Sequence, residues 1–128
     1  MLVRFLTRDD EDQAEAARAA MEEADTIVIP TVVLCEVAWV LKRSFRVAPS
    51  EIADRLGHLL RSRNVEVDRP AAEAALRHLA RGGDFADGII RHEAARLKCD
   101  RVITFDHHFA AISDAADVVL LDSGRHGR

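Results

Sequence analysis

The hydrophobic pattern of this chain alternates between helical spacing and short apolar runs. Apolar residues recur three to four positions apart in five segments, which predicts helices over residues 12–23, 31–44, 49–63, 70–81 and 84–98. Short runs rich in β-branched residues predict strands over residues 26–29, 64–68, 101–104 and 116–121. Because strands and helices alternate along the chain, we expect an α/β fold, a three-layer α/β/α sandwich around a central, mostly parallel sheet.

The helix predicted over residues 31–44 contains one acid in a long apolar stretch. From Val32 to Leu41 every residue is apolar except Glu36, which predicts a helix that is buried over most of its circumference. Helical spacing places Glu36 on one face with Val32, Trp39 and Val40. A buried carboxylate is costly unless it is paired, protonated or metal-bound. Two interpretations follow, an ion pair with one of the arginines and a functional site, and the uniformly apolar surroundings favour the site.

Chain direction predicts that three acids meet at one edge of the sheet. A helix that leads into a parallel strand runs antiparallel to it, so Asp87, in the first turn of the helix over 84–98, should lie near Asp106, just past the strand over 101–104. Glu36 lies early in the helix that follows the strand over 26–29, which places it at the same carboxyl edge. Neighbouring carboxylates repel one another unless a cation or a proton lies between them.

Three carboxylates make a hard, oxygen-only site, which suits Mg²⁺ or Mn²⁺ better than Zn²⁺. The usual chemistry of such a site is attack of metal-activated water on a phosphodiester. Simpler interpretations exist for each acid: Asp84 and Asp87 fit the acidic start of a helix, which we prefer for Asp84, and Asp106 fits a turn. The hydroxyl of Thr104, two residues before Asp106, is placed to hydrogen-bond the site.

The adjacent histidines His107 and His108 are not predicted to be zinc ligands. Neighbouring side chains point in different directions and no third soft ligand lies near them, so we interpret both as surface or loop residues. Cys35 and Cys99 lie in apolar segments outside any CxxC motif, which predicts free thiols in a reducing cytoplasm.

Composition narrows the range of partners. The 128 residues predict one domain, with residues 122–128 as a frayed tail. The net charge of -4 provides no overall basic field for nucleic acid, although it leaves room for a local one. Five Phe, one Trp and no Tyr argue against an extended base-stacking surface. The sequence contains no apolar run long enough to span a membrane and no secretory signal, so we expect a cytoplasmic protein without membrane partners.

Four segments, LVRFLTRDD, IPTVVLCEVAWVL, DFADGIIRHEAA and VITFDHHF, occur in this order along nearly the whole chain. Together they resemble the PIN-domain ribonucleases of the VapC toxin type. The resemblance implies a parallel α/β/α sandwich in which four acids bind Mg²⁺ or Mn²⁺ for RNA cleavage. The matching acids here are Glu36, Asp87 and Asp106, and Asp84 and Thr104 match frequent auxiliary positions. The resemblance also implies a homodimer that is silenced, as in type II toxin–antitoxin pairs, by a small antitoxin protein.

The chain departs from this family pattern at its start. Members open with a strand that carries the first acid, just before the residues that match Leu2 to Arg4, and here the sequence begins after that motif. We therefore expect an N-terminally incomplete domain that lacks the central strand of its sheet, explained by a start codon assigned too far downstream. The resemblance then implies little RNA cleavage by the 128-residue chain and cleavage by a longer one.

Two other classes of protein fit parts of the pattern. A non-catalytic PIN-like module that engages an antitoxin-like partner fits a chain with an incomplete set of acids. An unrelated α/β protein such as a response-regulator-like receiver also gathers acids at the carboxyl edge. The receiver fits poorly, because no strong strand precedes Asp68 and because Lys98 ends a helix rather than following a late strand.

Overall fold

A computed structural model describes residues 1–7, 10–113 and 118–121. In these ranges the helices are α1 (Leu2–Thr7), α2 (Glu11–Glu23), α3 (Thr31–Arg43), α4 (Pro49–Leu60), α5 (Arg69–Ala80), α6 (Phe85–Arg96) and α7 (His107–Ser113). The strands are β1 (Ile27–Val28), β2 (Val65–Glu66), β3 (Val102–Thr104) and β4 (Val118–Leu120). Each of the five predicted helices and four predicted strands is present, within a few residues of its expected bounds.

Local sequence signals start and stop several of the helices. The Asp10 carboxylate accepts a hydrogen bond from the backbone N–H of Gln13 at 3.1 Å and caps α2. Asp68 caps α5 in the same way, through the backbone N–H of Ala71 at 3.3 Å. At the other end of α5 the chain turns at Gly82, whose φ of 96° is a left-handed conformation that glycine adopts without steric cost.

The strands pair in parallel, as the pattern predicts, but they form two small sheets. Strand β1 pairs with β2, with Ile27 opposite Val65, and β3 pairs with β4, with Val102 opposite Val118. No pairing joins β1 or β2 to β3 or β4 in the described part of the chain. The parallel strands and the surrounding helices are those of an α/β fold, with the helices contributing most of the packed surface.

The core lies mainly between helices. Its largest fully buried side chains, all aliphatic, are Leu34, Leu41, Ile52, Leu56 and Leu59, from α3 and α4. Helices α5 and α6 pack closely against each other. This contact depends on Gly88 in α6, since a Cβ there would lie 2.7 Å from the backbone Cα of Ala75. The close approach of α5 and α6 fixes the start of α6, where two of the predicted acids lie.

The hydrophobic pattern predicts neither α1 nor α7. Both are too short, at six and seven residues, for a helical period to stand out. The structure places His107 and His108 on the surface, as expected, but in the first turn of α7 rather than in a loop. The predicted tail, residues 122–128, and the first two residues of the strand predicted over 116–121 lie outside the described ranges.

Candidate functional site

Three aspartates come together where α6 begins and β3 ends. Asp84 is the N-cap residue of α6, Asp87 lies in its first turn, and Asp106 lies between β3 and α7. Burial raises the pKa of Asp87, and the negative charges of Asp84 and Asp106 raise it further, against the opposing effects of Lys42 and His108. Asp87 is therefore the acid whose pKa responds to the charges of the other two. The carboxylates of Asp84, Asp87 and Asp106 together form the acidic cluster.

Lys42 is a member of the site that sequence reasoning did not identify. It extends from the last turn of α3, and its Nζ lies 2.5 Å from Oδ1 of Asp84. The Asp84 side chain consequently makes no capping hydrogen bond to the backbone of α6. Both side chains are about half exposed, so the pair contributes at most about 1 kcal/mol to stability. Its main effect is to hold the Asp84 carboxylate beside α3.

Glu36 does not have the environment that the sequence suggested. Its side chain is exposed, and within the described ranges it forms no hydrogen bond or ion pair. Val32 and Trp39, on the same face of α3, are 73% and 59% exposed. The expectation of a buried carboxylate is therefore wrong, because α3 packs through its opposite face. Glu36 is also absent from the charges that shift the pKa of Asp87.

Asp106 has a structural role in addition to its place in the acidic cluster. Its Oδ1 accepts a hydrogen bond from the backbone N–H of Phe109 at 3.0 Å, which caps α7. Its own backbone N–H donates to Oγ1 of Thr104 at 3.0 Å. Thr104 thus orients the turn that carries Asp106. The second carboxylate oxygen, Oδ2, makes no hydrogen bond within the described residues and is available to a ligand.

A cavity of about 220 Å³ adjoins the acidic cluster between α3 and α6. Asp84 and Asp87 line one side, and Trp39 and Lys42 of α3 line the other. Cys35 also contributes to the wall, and burial raises the pKa of its thiol. A thiol whose pKa is raised is a poor nucleophile and a poor metal ligand at neutral pH. The chemistry of the cavity therefore rests on its carboxylates.

The donor chemistry of the acidic cluster fits a hard divalent cation. Carboxylate oxygens are the ligands of Mg²⁺ and Mn²⁺, and a cation between Asp87 and its neighbours would relieve the repulsion that raises the pKa of Asp87. Within the described parts of the chain, however, no three Asp, Glu, His or Cys residues are arranged closely enough to hold a metal ion. Asp84 is turned toward Lys42, so ligation through all three aspartates requires that ion pair to open.

Short parallel strands between helices, with acids gathered at the start of a helix and the end of a strand, define an α/β domain with an acidic site. A family model described as "PIN domain" matches residues 1–115. The chain therefore belongs to the PIN domain family, whose members are generally metal-dependent nucleases. No curated protein and no solved structure matches it. Across the described residues, no helix is both long and apolar enough to cross a membrane.

Replacing Glu36 with glutamine tests whether this exposed acid reaches the site. We expect the free energy of unfolding without metal to change by no more than about 0.5 kcal/mol, because the side chain is exposed and unpaired among the described residues. Thermal unfolding with chelator and with Mn²⁺ provides the measurement. If Glu36 binds the metal after a rotation of its side chain, Mn²⁺ should raise the unfolding temperature of Glu36→Gln less than that of the parent protein. A strong loss of stability without metal would show instead that the Glu36 carboxylate is buried in an ion pair.

Proposed function

We propose that the chain is the ribonuclease toxin of a type II toxin–antitoxin pair, of the VapC type, which cleaves RNA with Mg²⁺ or Mn²⁺ in the cytoplasm. The observation that supports this proposal is that the negative charges of Asp84 and Asp106 raise the pKa of Asp87, in a chain that belongs to the PIN domain family. Such a cluster attracts a divalent cation, and nuclease activity is general in the family. The proposed assembly is a homodimer that a small antitoxin protein silences.

Each residue of the site has a proposed role. A bound Mg²⁺ or Mn²⁺ would supply water activation and would stabilise the leaving oxygen of the phosphodiester. Asp87 would be the principal ligand, and Asp106 would contribute Oδ2 while its Oδ1 holds α7 in place. Glu36 is the third proposed ligand, after a rotation of its exposed side chain. Asp84 is auxiliary, with Lys42 setting the position of its carboxylate, and Thr104 orients the Asp106 turn.

A local basic groove supports RNA as the substrate class. Arg77 of α5, Arg81 just after that helix and Arg91 of α6 are among the residues that line a cavity of about 310 Å³. Arg91 lies one helical turn beyond Asp87. Guanidinium groups bind phosphates in a planar, bidentate geometry. A negatively charged backbone that follows this groove along α6 would lead to the acidic cluster, despite the net charge of -4.

Metal-dependent RNA digestion tests the proposal. Structured and unstructured RNAs are incubated with Mg²⁺, Mn²⁺ or chelator, both with the 128-residue chain and with a chain that is extended through the upstream in-frame codons. We expect cleavage by the extended chain with either metal, little cleavage by the 128-residue chain, and none by either chain with chelator. Cleavage that persists in chelator, after repurification to exclude a contaminating nuclease, would contradict the metal-dependent mechanism.

A second candidate function is a non-catalytic module that binds a small protein. A groove of about 1010 Å³ between α1, α2 and α4 favours it, with an apolar floor that includes Phe5, Leu6 and Met21 and with Arg18 and Arg55 at its rim. An apolar groove with a charged rim suits the amphipathic helix of a partner. If both chain lengths are inert on every RNA with either metal, yet bind a small protein partner tightly, this function replaces the first.

A further inference from the structure

The only tryptophan of the protein lies exposed beside the acidic cluster. Trp39 is 59% exposed although it is the largest apolar side chain in the sequence. Its indole borders the cavity that Asp84 and Asp87 line from the other side. Large aromatic side chains stabilise a protein chiefly when they are buried, and exposed ones are enriched at binding surfaces. An exposed indole beside a cavity is therefore a candidate contact for a ligand.

Arg43 covers one face of this indole. Its Cζ lies 5.6 Å from the centroid of the Trp39 ring, which is the geometry of a cation–π contact. The two residues lie one helical turn apart on α3, so their relative position is set by the helix. A flat ring held by a guanidinium group on one face leaves its other face for a second planar group. Aromatic rings and guanidinium planes are the groups on which proteins stack unpaired bases.

The adjoining cavity limits the size of the ligand. Its volume of about 220 Å³ lies below the range of roughly 300–1,000 Å³ that is typical of pockets for whole small-molecule ligands. It suits a single ring system rather than a complete nucleotide, whose sugar and phosphate would remain outside. Arg43 and the Lys42–Asp84 ion pair also line this cavity, and so does Asp87. A base seated here would place its own backbone next to the acidic cluster.

We propose that Trp39 and Arg43 form a stacking platform for one unpaired nucleobase of the RNA, next to the bond that is cut. The inference rests on the proposed ribonuclease function and extends it to the form of RNA that is selected. A base can reach the indole only when it is unstacked from its neighbours, so the platform favours single-stranded segments, loops and bulges over duplex. The scarcity of aromatic residues argues against an extended stacking surface, but one base needs only one ring.

The intrinsic fluorescence of the protein tests the platform directly, because Trp39 is its single source of indole emission. Single-stranded RNA oligonucleotides are titrated with chelator present, so that metal-dependent cleavage does not occur, and binding is followed separately by fluorescence anisotropy of a labelled RNA. We expect binding to quench the Trp39 emission. The matched control is an oligonucleotide of the same length with abasic sites, which keeps the phosphates, and the same strand in a duplex is a second control. Both should quench much less at equal occupancy.

Variants of the platform separate stacking from a structural role. Trp39→Ala should weaken single-stranded RNA binding and raise KM by about 5- to 100-fold, the cost of one lost base stack, with kcat changed much less. Trp39→Phe keeps an aromatic ring and should restore most of the binding. Because the indole is largely exposed, neither variant should lower the unfolding temperature by more than a few degrees. If Trp39→Phe is as impaired as Trp39→Ala, stacking is not the role of this residue.

Two further outcomes would overturn the proposal. If RNA binds without quenching, or if abasic and normal strands quench equally, no base stacks on Trp39. If the emission shifts with protein concentration in the absence of RNA, the indole is covered by a second copy of the chain. The platform and the ribonuclease function fail separately. Base-dependent quenching without cleavage in any metal would retain the platform and refute the nuclease, and cleavage without quenching would do the reverse.

Discussion

In the extended chain, replacing Asp87 with asparagine should lower metal-dependent RNA cleavage by at least about 100-fold while the fold is retained. Replacing a residue that only hydrogen-bonds a metal ligand already lowers metal affinity or activity by roughly 10- to 100-fold. Asp87 is proposed as a direct ligand, and the charges of Asp84 and Asp106 raise its pKa, so its loss should cost more. The amide of asparagine is nearly isosteric with the carboxylate but carries no charge for the cation. Initial cleavage rates measured over a range of Mn²⁺ concentrations would show whether the loss lies in metal affinity or in kcat.

The same variant should be at least as stable as the parent protein without metal. Because the folded state raises the pKa of Asp87 above 3.8, the protonated carboxyl is the form that the fold accommodates better. Its contribution to stability is present below the unfolded pKa and is lost as the pH rises through the folded pKa. At neutral pH with chelator, Asp87→Asn should therefore unfold at an equal or higher temperature, and the difference should shrink as the pH approaches 3.

Asp54→Asn is a matched control for Asp87→Asn. Asp54 is an exposed acid of α4 that lines the groove near α1 instead of the acidic cluster. Removing its charge should leave both cleavage and metal-dependent stabilisation nearly unchanged. If Asp87→Asn retains full cleavage, the acidic cluster is not the metal site. If it loses several kcal/mol of stability without metal, Asp87 has a structural role that its surroundings do not indicate.

The helices could be predicted because their periodicity is local. In α4 the apolar positions Ile52, Leu56, Leu59 and Leu60 recur at helical spacing, and all four are buried. The end of α5 is also a local feature, because Gly82, two residues after the helix, adopts the left-handed backbone that glycine tolerates best. Asp84 and Asp87 were placed at the start of α6 by the same kind of local signal. Each of these features depends on a few consecutive residues.

The surroundings of Glu36 and Lys42 could not be predicted in this way. Periodicity groups Glu36 with Val32 and Trp39, but it cannot say which face of α3 the rest of the chain covers. The ion pair between Lys42 and Asp84 joins residues that are 42 positions apart and depends on how α3 packs against α6. Both are properties of tertiary packing, which a single helical pattern does not contain.

The strands show the same limit. Short apolar runs predict strands but not their burial: Val28 in β1 and Ile103 in β3 are more than half exposed. Within the described strands, β1 pairs only with β2 and β3 only with β4. The runs predicted the places of the described strands, and the alternation with helices predicted their parallel direction. Which strands become neighbours depends on long-range contacts that the runs do not specify.

Gly88→Ala should destabilise the protein by about 1–3 kcal/mol. Inside a helix, alanine is normally the more stable residue of the two, by roughly 0.5–1 kcal/mol. A Cβ at this position would lie 2.7 Å from Cα of Ala75 and 2.9 Å from Cβ of His78. The first of these is a backbone atom of α5 and cannot move aside by changing a rotamer. Helix α6 would therefore have to shift away from α5, and Asp87, the adjacent residue, would shift with it. Urea denaturation measures the loss of stability, and RNA cleavage by the folded variant measures the displacement of Asp87.

Gly57→Ala, in contrast to Gly88→Ala, should not destabilise the protein. Gly57 lies inside α4, and a Cβ there would meet only the end of the Arg61 side chain, at 3.5 Å. With no steric conflict, helix propensity decides, so Gly57→Ala should be neutral or stabilising by up to about 1 kcal/mol. The two substitutions add the same methyl group to helical glycines, so their opposite signs isolate the contact between α5 and α6. If Gly88→Ala is as stable as Gly57→Ala and cleaves RNA as fast as the parent, then α6 does not pack on α5 at Ala75 and the position of Asp87 does not depend on that contact.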